Sequence, residues 1–519
     1  MEPDKTMRPN KSLLWWGLLA FSLSFCDAGV DTTKPHCIDQ VQNADETDID
    51  CGGQTCQVCS IGKGCRTNGD CLTDACNQGR CIDTTQYASC TDGKQNGLET
   101  DIDCGGTCTP CGVGKMCLQS ADCGALLCSG NKCGLGSGAD GALIVPVGMT
   151  QTINQLASPV TGNKLTNQLT VASTTGMAKG QILFIHQTQG SGAGSSELNQ
   201  IVELNATTVT LARALTTDYS TGAQAVVVPQ YTNVTVSATA TLTAPAWDGM
   251  KGGILVFLAS GAVNVDGTLS MLGRGFRGAG MSGVCFPGAP GCLLNHGRFG
   301  ESEAGPSNFS AMNNNGKGIN SGGGGGGGTR GQDCAAGGGG SYGTVGAAGA
   351  DGSLGTCIMN GLHGGGLPGT TLGQGDLTQS IFLGPAGGEG GPDESGAYPG
   401  PGGNGGGIII AYASTLTVNA ASGTIDAGGA PGGSGAVTGP CGGSGSGMGN
   451  GGGGAGGGIR LVTAGASALG TGRVSALGGS GGAGGTCGAG FAGGSGGQGR
   501  IQVRTSAQLT GTTTPPFQP

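Results

Sequence analysis

Gly253-Ile254-Leu255-Val256-Phe257, followed by Val263-Asn264-Val265 and Gly267-Thr268-Leu269-Ser270, is the stretch that decides how the second half of this chain folds. It returns as Gly407-Ile408-Ile409-Ile410, Leu416-Thr417-Val418 and Gly423-Thr424-Ile425-Asp426-Ala427-Gly428-Gly429. A third copy runs from Gly458-Ile459-Arg460-Leu461 to Gly472-Arg473-Val474-Ser475-Ala476, and a truncated one, Gly499-Arg500-Ile501-Gln502-Val503, closes the series. Each copy reads as two or three short strands separated by turns. One copy alone leaves its Ile/Leu/Val face exposed, and stacking buries it, so residues 248–505 are expected to form a glycine-rich stacked β-repeat.

Between the copies lie glycine tracts, among them Gly322 to Gly328, Gly337 to Gly340 and Gly451 to Gly454. Two readings stand open. Such tracts form flexible linkers, or they form extended helices of three residues per turn (polyglycine II) whose backbones, lacking Cβ, approach until they hydrogen-bond one another. Six cysteines in the same region, Cys285, Cys292, Cys334, Cys357, Cys441 and Cys487, favour order, since bridges across a random coil have little to hold.

Upstream, Gln181-Ile182-Leu183-Phe184-Ile185, Val202 to Leu211, Val226-Val227-Val228 and Val234-Thr235-Val236 read as strands punctuated by Gly, Asn and Pro. No apolar period of 3.6 persists, so residues 142–247 are expected as a compact β-sandwich or barrel, and the chain as a whole as all-β. Residues 506–519 are left as a tail.

Before this domain come two cysteine clusters. Cys37, Cys51, Cys56, Cys59, Cys65, Cys71, Cys76 and Cys81 are matched by Cys90, Cys104, Cys108, Cys111, Cys117, Cys123, Cys128 and Cys133. Around them Asn43-x-x-Glu46-Thr47-Asp48-Ile49-Asp50-Cys51-Gly52-Gly53 recurs as Asn96-x-x-Glu99-Thr100-Asp101-Ile102-Asp103-Cys104-Gly105-Gly106, which marks an internal duplication, 37–81 and 90–133. Each module is below the size at which burial alone supports a fold, so disulfides are expected to hold it. Setting Cys26 apart from the 23 cysteines leaves an even number, as full pairing requires. Cys56-x-x-Cys59 and Cys108-x-x-Cys111 read as structural bridges, because zinc thiolates are chiefly intracellular.

Lys5, Arg8 and Lys11 precede an apolar run from Leu13 to Phe25, the layout of a secretory signal over 1–28. Leu23-Ser24-Phe25-Cys26 resembles a bacterial lipobox except for the bulky Phe25, which leaves lipidation at Cys26 and ordinary cleavage after Cys26 or Ala28 both open. The expected location is extracellular or the cell surface, with membrane contact only through that lipid.

Charged residues make up 11% of the chain and Gly fills 117 of 519 positions, with a formal net charge of −9. No Lys/Arg cluster exists to release counterions from phosphate, which excludes nucleic acid as a partner. The acids concentrate in the cysteine modules, where Asp39, Asn43, Glu46, Asp48 and Asp50 are repeated by Asp92, Asn96, Glu99, Asp101 and Asp103. These hard oxygens at one- to four-residue steps suit calcium, though without the spacing of an EF-hand; a solvated acidic turn is the other reading. No other cofactor is indicated.

The module signature, complete in Asn96-Gly97-Leu98-Glu99-Thr100-Asp101-Ile102-Asp103-Cys104 and carrying Ala44 in the first copy, resembles the Cys-rich repeats of secreted proteins from soil-dwelling delta-proteobacteria of the myxobacterial type. Ala244-Pro245-Ala246-Trp247-Asp248-Gly249 and Gly273-Arg274-Gly275-Phe276-Arg277-Gly278 resemble glycine-rich regions of large exported adhesin-like proteins, and the glycine runs resemble polyglycine-helix bundles in phage tail adhesins. The resemblance implies an adhesin-like surface protein or lipoprotein.

Catalytic signatures are weak. Gly478-Gly479-Ser480-Gly481-Gly482 matches a serine-hydrolase elbow only as any Gly/Ser tract does, and the four histidines form no metal pair. The sequence therefore reads as a non-enzymatic envelope protein for adhesion, display or ligand binding, with glycans or other extracellular polymers as partners. The alternative is a polysaccharide-degrading enzyme, for which Glu301, Glu303, Asp333, Asp376, Glu389, Asp393 and Glu394 supply acids without a recurring arrangement.

Overall fold

The computed structural model describes residues 35–77, 79–83, 90–106, 108–112, 115–118, 120–123, 127–129, 132–280, 297–307, 319–327, 335–351, 364–391, 399–435, 449–483, 491–505 and 507–519. Cys26, the signal segment, and the six cysteines of the glycine-rich region lie outside them. The chain divides into two compact units, Met1–Leu98 and Glu99–Pro519, with the boundary inside the second cysteine module.

Sulfur is the core of the first unit. Cys37–Cys56, Cys51–Cys59, Cys65–Cys76 and Cys71–Cys81 are bonded, and the buried cluster consists of Cys51, Cys59, Cys65, Cys71 and Cys81. A short hairpin, β1 (Cys76–Asn77) and β2 (Arg80–Cys81), closes the module. The second unit opens on the duplicate pattern, Cys104–Cys111, Cys117–Cys128 and Cys123–Cys133, with the hairpin β3 (Leu127–Ser129) and β4 (Lys132–Gly134). Cys90 and Cys108, which stand where Cys37 and Cys56 do, are likewise disulfide-bonded.

Next come β5 (Leu143–Val145) and β6 (Thr150–Thr152), and then a closed antiparallel barrel of β7 (Ala157–Gly162), β8 (Gln168–Val171), β9 (Ile182–Gln187), β10 (Ser196–Leu204), β11 (Thr208–Leu211) and β12 (Tyr219–Val228). Leu169, Leu183, Ile185, Ile201, Val209 and Leu211 fill its interior. The barrel is thus narrower than the 142–247 domain expected from the sequence. Its flanking strands pair elsewhere, because β13 (Gln230–Tyr231), β14 (Val234–Val236) and β15 (Thr241–Thr243) are parallel partners of strands downstream.

Those partners are the sequence repeats. β16 (Ile254–Ala259), β17 (Ala262–Val265) and β18 (Thr268–Ser270) make one coil; β19 (Ile408–Ala413), β20 (Thr415–Val418) and β21 (Thr424–Asp426) make the next. β22 (Gly458–Thr463) with β23 (Ser467–Ser475), and β24 (Arg500–Thr505) with β25 (Leu509–Thr514), complete a stack of parallel coils. Register is kept from coil to coil: Ile254 faces Ile408, Ile409 faces Ile459, and Ile459 faces Ile501. β25 lies within 506–519, so the expected tail contributes a strand.

The two kinds of strand follow from what covers them. β17 and β20 alternate buried and exposed residues, as one-sided strands do. β16 and β19 are buried at all positions, which explains their unbroken apolar runs. Leu255, Phe257 and Ile409 point into the coil, while Ile254, Val256, Ile408 and Ile410 pack outward against Phe184 and Val226 of the barrel and against Leu377, Ile381 and Leu383.

One polar joint crosses that packing. His186 of β9 is buried, with Nε2 2.8 Å from the Ile381 carbonyl and Nδ1 2.8 Å from the Thr188 hydroxyl. Burial lowers its pKa from 6.5 to about 4. The unfolded chain takes up this proton near pH 6.5 and the folded one only near 4, so the contribution is complete above pH 6.5 and is lost as pH falls between those values. That loss amounts to roughly 3 kcal/mol. Denaturation midpoints measured from pH 7 to 4 are expected to fall, and His186→Gln should flatten the profile; an equally steep fall in the variant would remove His186 as the cause.

Candidate functional site

The described parts of the glycine tracts are joined by backbone hydrogen bonds, and they form the candidate site. Residues 449–457 show how. Gly451, Gly454 and Gly457 donate to the carbonyls of Gly433, Ala430 and Ala427, while Gly452 and Ala455 donate to Gly388 and Pro385. Gly453 and Gly456 donate to Gly494 and Gly497, all seven bonds measuring 2.8–3.0 Å. Partners repeat every third residue, which is the period of an extended polyglycine II helix. On the acceptor side, Gly449, Gly452 and Ala455 receive Gly400, Gly403 and Gly406, Asn450 and Gly453 receive Gly337 and Gly340, and Gly451 and Gly454 receive Gly482 and Gly479. One helix therefore bonds six neighbours. A conventional helix or sheet spends its backbone groups on itself or on two flanking strands; here they point radially and cement a three-dimensional bundle.

These helices are arms of the β-coils. Residues 399–407, 449–457 and 491–499 run into β19, β22 and β24, while 271–280, 427–435 and 476–483 leave β18, β21 and β23. Since nine residues at about 3.1 Å each extend roughly 28 Å, the far end of the bundle stands well away from the coils. Helices bond one another there as well. Gly297 donates to Gly327, Ala336 to Ala350, Gly391 to Ala335, Gly400 to Gly449 and Ala350 to Ala492, at 2.8–3.0 Å.

A few side chains lock that end. Asn450, fully buried, accepts from Gly435 N at 3.0 Å and donates to the Phe491 carbonyl at 2.8 Å. Asp351 accepts from Gly365 N at 2.7 Å, Glu389 from Arg298 N at 3.1 Å, and the Ser434 hydroxyl donates to the Ala483 carbonyl at 2.8 Å. Sequence reasoning singled out neither Asn450 nor Asp351; an isolated polar residue at the start or end of a glycine tract was the available signal.

Of the carboxylates considered for polysaccharide cleavage, Glu301, Asp376 and Glu389 are engaged in the scaffold, whereas Glu303 is buried with its Oε2 unpartnered among the described residues. Glu301 is buried under Arg277, whose Nε and Nη2 lie 2.9 and 3.1 Å from its oxygens, with Trp247 Nε1 at 3.2 Å. Such a removed charge is tolerated only with this many partners. Burial raises the pKa of Glu303, and Asp376 accepts from Thr378, Gln502 and Arg504. Asp333, Asp393 and Glu394 lie outside the described residues.

The acidic string of the cysteine modules is placed at turns. Asp48 Oδ2 accepts Gly64 N, and Asp101 Oδ2 accepts Met116 N, both at 2.6 Å; Lys63 and Lys115 lie 3.3 and 3.2 Å from the other oxygens. These hydrogen bonds, those from the two backbone amides foremost, hold both carboxyls below the usual range. Asp50 caps Gln40 N, Asp39 accepts Val41 N and Asn43 Nδ2, Glu46 accepts Asn43 N, and Asp92 accepts Asn96 Nδ2. Asp50 and Asp103 adopt positive φ of 59° and 56° where the turn reverses. Among the described residues no three acidic side chains bring their oxygens within 4.8 Å of one another. Asp70 and Asp122, outside the predicted set, are buried as Glu46 and Glu99 are: Asp70 accepts from Gly53, Arg66 and Thr67, and Asp122 from Gly106 and Leu118.

No family model and no curated protein matches the chain. Among solved structures it is similar to the tailspike protein gp49 from Pseudomonas phage LKA1, at 13% identity over 25% of each chain with a TM-score of 0.13. It is also similar to the Gp54 tailspike of Acinetobacter baumannii bacteriophage AP22, solved with A. baumannii capsular saccharide, at 13% identity over 24% of this chain and 23% of that one with a TM-score of 0.15. The chain spans about a quarter of the length of these tailspikes, and a likeness this slight carries no argument about function.

Proposed function

We propose that this chain is a non-catalytic exported protein for adhesion, display or ligand binding at envelope or extracellular polymers, glycans foremost. The three-dimensional hydrogen bonding of the glycine helices carries this reading. A bundle of this kind holds its backbone rigidly without a large apolar core, and so presents its surface to a ligand at low ordering cost. The disulfide density supports an oxidising, extracellular setting. Among the described residues no helix is long and apolar enough to cross a membrane.

The test is binding of the purified full chain to bacterial envelopes and to a panel of glycans. Saturable binding is expected, and a variant with a disrupted bundle should lose it. No binding to cells, glycans or envelope fractions would overturn the reading, and release of reducing ends from any panel polysaccharide would replace it with the enzymatic alternative.

A further inference from the structure

A cleft of about 500 Å³ opens where the chain leaves the coils for the barrel at Ile153 to Leu156 and returns at Val227 to Tyr231. This volume is within the range of small-ligand sites, roughly 300–1,000 Å³. One lip is Lys179 to Gln181 of the barrel, and the other is Ser137 to Asp140, which precedes the first coil.

The cleft is built with hydrogen bonds. Asn154, buried and held at φ 54°, donates to the carbonyls of Val227 at 3.2 Å and Val256 at 2.8 Å, and accepts from Val256 N at 3.0 Å. It pins the outgoing chain to the returning one and both to β16. Gln230 Oε1 accepts from Ser137 N at 2.9 Å, and Gln230 N donates to Asp140 Oδ2 at 2.6 Å, so the second lip is anchored too. Walls fixed in this way need little ordering when a ligand enters.

Several groups keep bonding capacity toward the opening. Lys179 makes no ion pair among the described residues. Gln155 donates to Thr152 O through Nε2 and retains its amide oxygen, while Gln181 accepts from Ala178 N and retains its amide nitrogen. The Tyr231 hydroxyl, whose pKa is pushed up to about 12 by burial and by Asp140, stays a protonated donor. The floor is apolar, from Leu156, Val228 and Pro229.

Spare amide donors and acceptors beside an apolar floor, with one cation and one anion on opposite lips, fit a ligand without net charge that has both C–H faces and amide groups. A single lysine facing a carboxylate does not suit a polyanion, and the polar lips do not suit an acyl chain. We infer that the cleft binds a short oligosaccharide of acetamido sugars: the ring face and acetyl methyl lie on the floor, the acetamido N–H meets Gln155 Oε1, its carbonyl meets Gln181 Nε2, and hydroxyls reach Asp140 and Lys179. This deepens the glycan-binding reading above and rests on it, but assigns a different place from the bundle.

The experiment is calorimetric titration of the full chain with the trimer of N-acetylglucosamine and with the glucose trimer. Binding of the acetamido trimer is expected to be at least tenfold tighter, and Gln155→Ala and Lys179→Ala should each weaken it about tenfold while the melting temperature holds, since both side chains are exposed. No heat with the acetamido trimer, equal affinity for both trimers, or unchanged affinity in both variants would overturn the inference. The wild-type chain is tested for envelope binding in parallel: adhesion without binding of the acetamido trimer sinks only the cleft, whereas adhesion absent from the wild type sinks the broader reading.

Discussion

Gly452→Ala is expected to break the glycine bundle. A Cβ on Gly452 would sit 2.0 Å from the Gly338 carbonyl oxygen and 2.4 Å from its carbon, and those atoms belong to a neighbouring backbone that cannot swing aside. Overpacking a flexible core costs about 1–3 kcal/mol, and here a rigid main chain must move, so the effect should reach or exceed the top of that range. Gly338 itself donates to Gly325 and accepts from Gly388, so the displacement spreads to two further helices. Ala455 of the same helix is the internal control: its methyl already fits, buried against Tyr342, Leu372 and Phe382. Ala455→Gly should cost far less. Melting of the two variants beside the wild type checks the claim, and equal losses would mean that the close approach at Gly452 is not what holds the bundle.

Reduction should unfold the cysteine modules and spare the coils. Each bridge contributes about 2–4 kcal/mol. The buried clusters of the modules are cysteine alone, so nothing apolar remains to compensate. The described coils draw instead on a contiguous core of Val, Leu, Ile, Phe and Ala. Limited proteolysis after reduction is expected to remove the N-terminal modules up to about the start of β5 and to leave a resistant body beyond it. Modules that stay resistant when fully reduced would show that the bridges are not their main support.

Much of this architecture was legible in the residues, for reasons that also mark where legibility stopped. The repeated strands could be read because their signal is local: Ile408-Ile409-Ile410 needs both faces buried, and Leu416-Thr417-Val418 only one. The module disulfides could be read because duplication fixed their grouping, although the spacing left connectivity open. The extent of the barrel could not be read, since β14 and β15 have the same Thr/Val texture as β8 and β11 and differ only in which distant strand they meet.

The glycine tracts were ambiguous for a deeper reason. A polyglycine II helix has no internal hydrogen bonds, so its stability is not encoded in its own sequence but in partners such as Gly340 and Gly453, more than a hundred positions apart. The acidic string was read two ways, as oxygens for a cation and as an acidic turn, and composition alone does not show that Asp48, Asp50 and Asp101 direct oxygens at amide hydrogens of turns. In the same turns, Gly52 and Gly105 are glycine because a Cβ there would lie 1.8 and 1.9 Å from the Thr47 and Thr100 hydroxyl oxygens. The Thr-Asp-Ile-Asp-Cys-Gly-Gly signature is thereby explained as a folding device.

Amide hydrogen exchange across 449–457 tests the central claim most directly, because the claim is that these glycines are hydrogen-bonded on all sides. The account predicts that the amides of Gly451 to Gly457 exchange as slowly as those of β19 and β22, although that segment holds neither α-helix nor β-strand. Exchange at the rate of an unstructured glycine linker would contradict it.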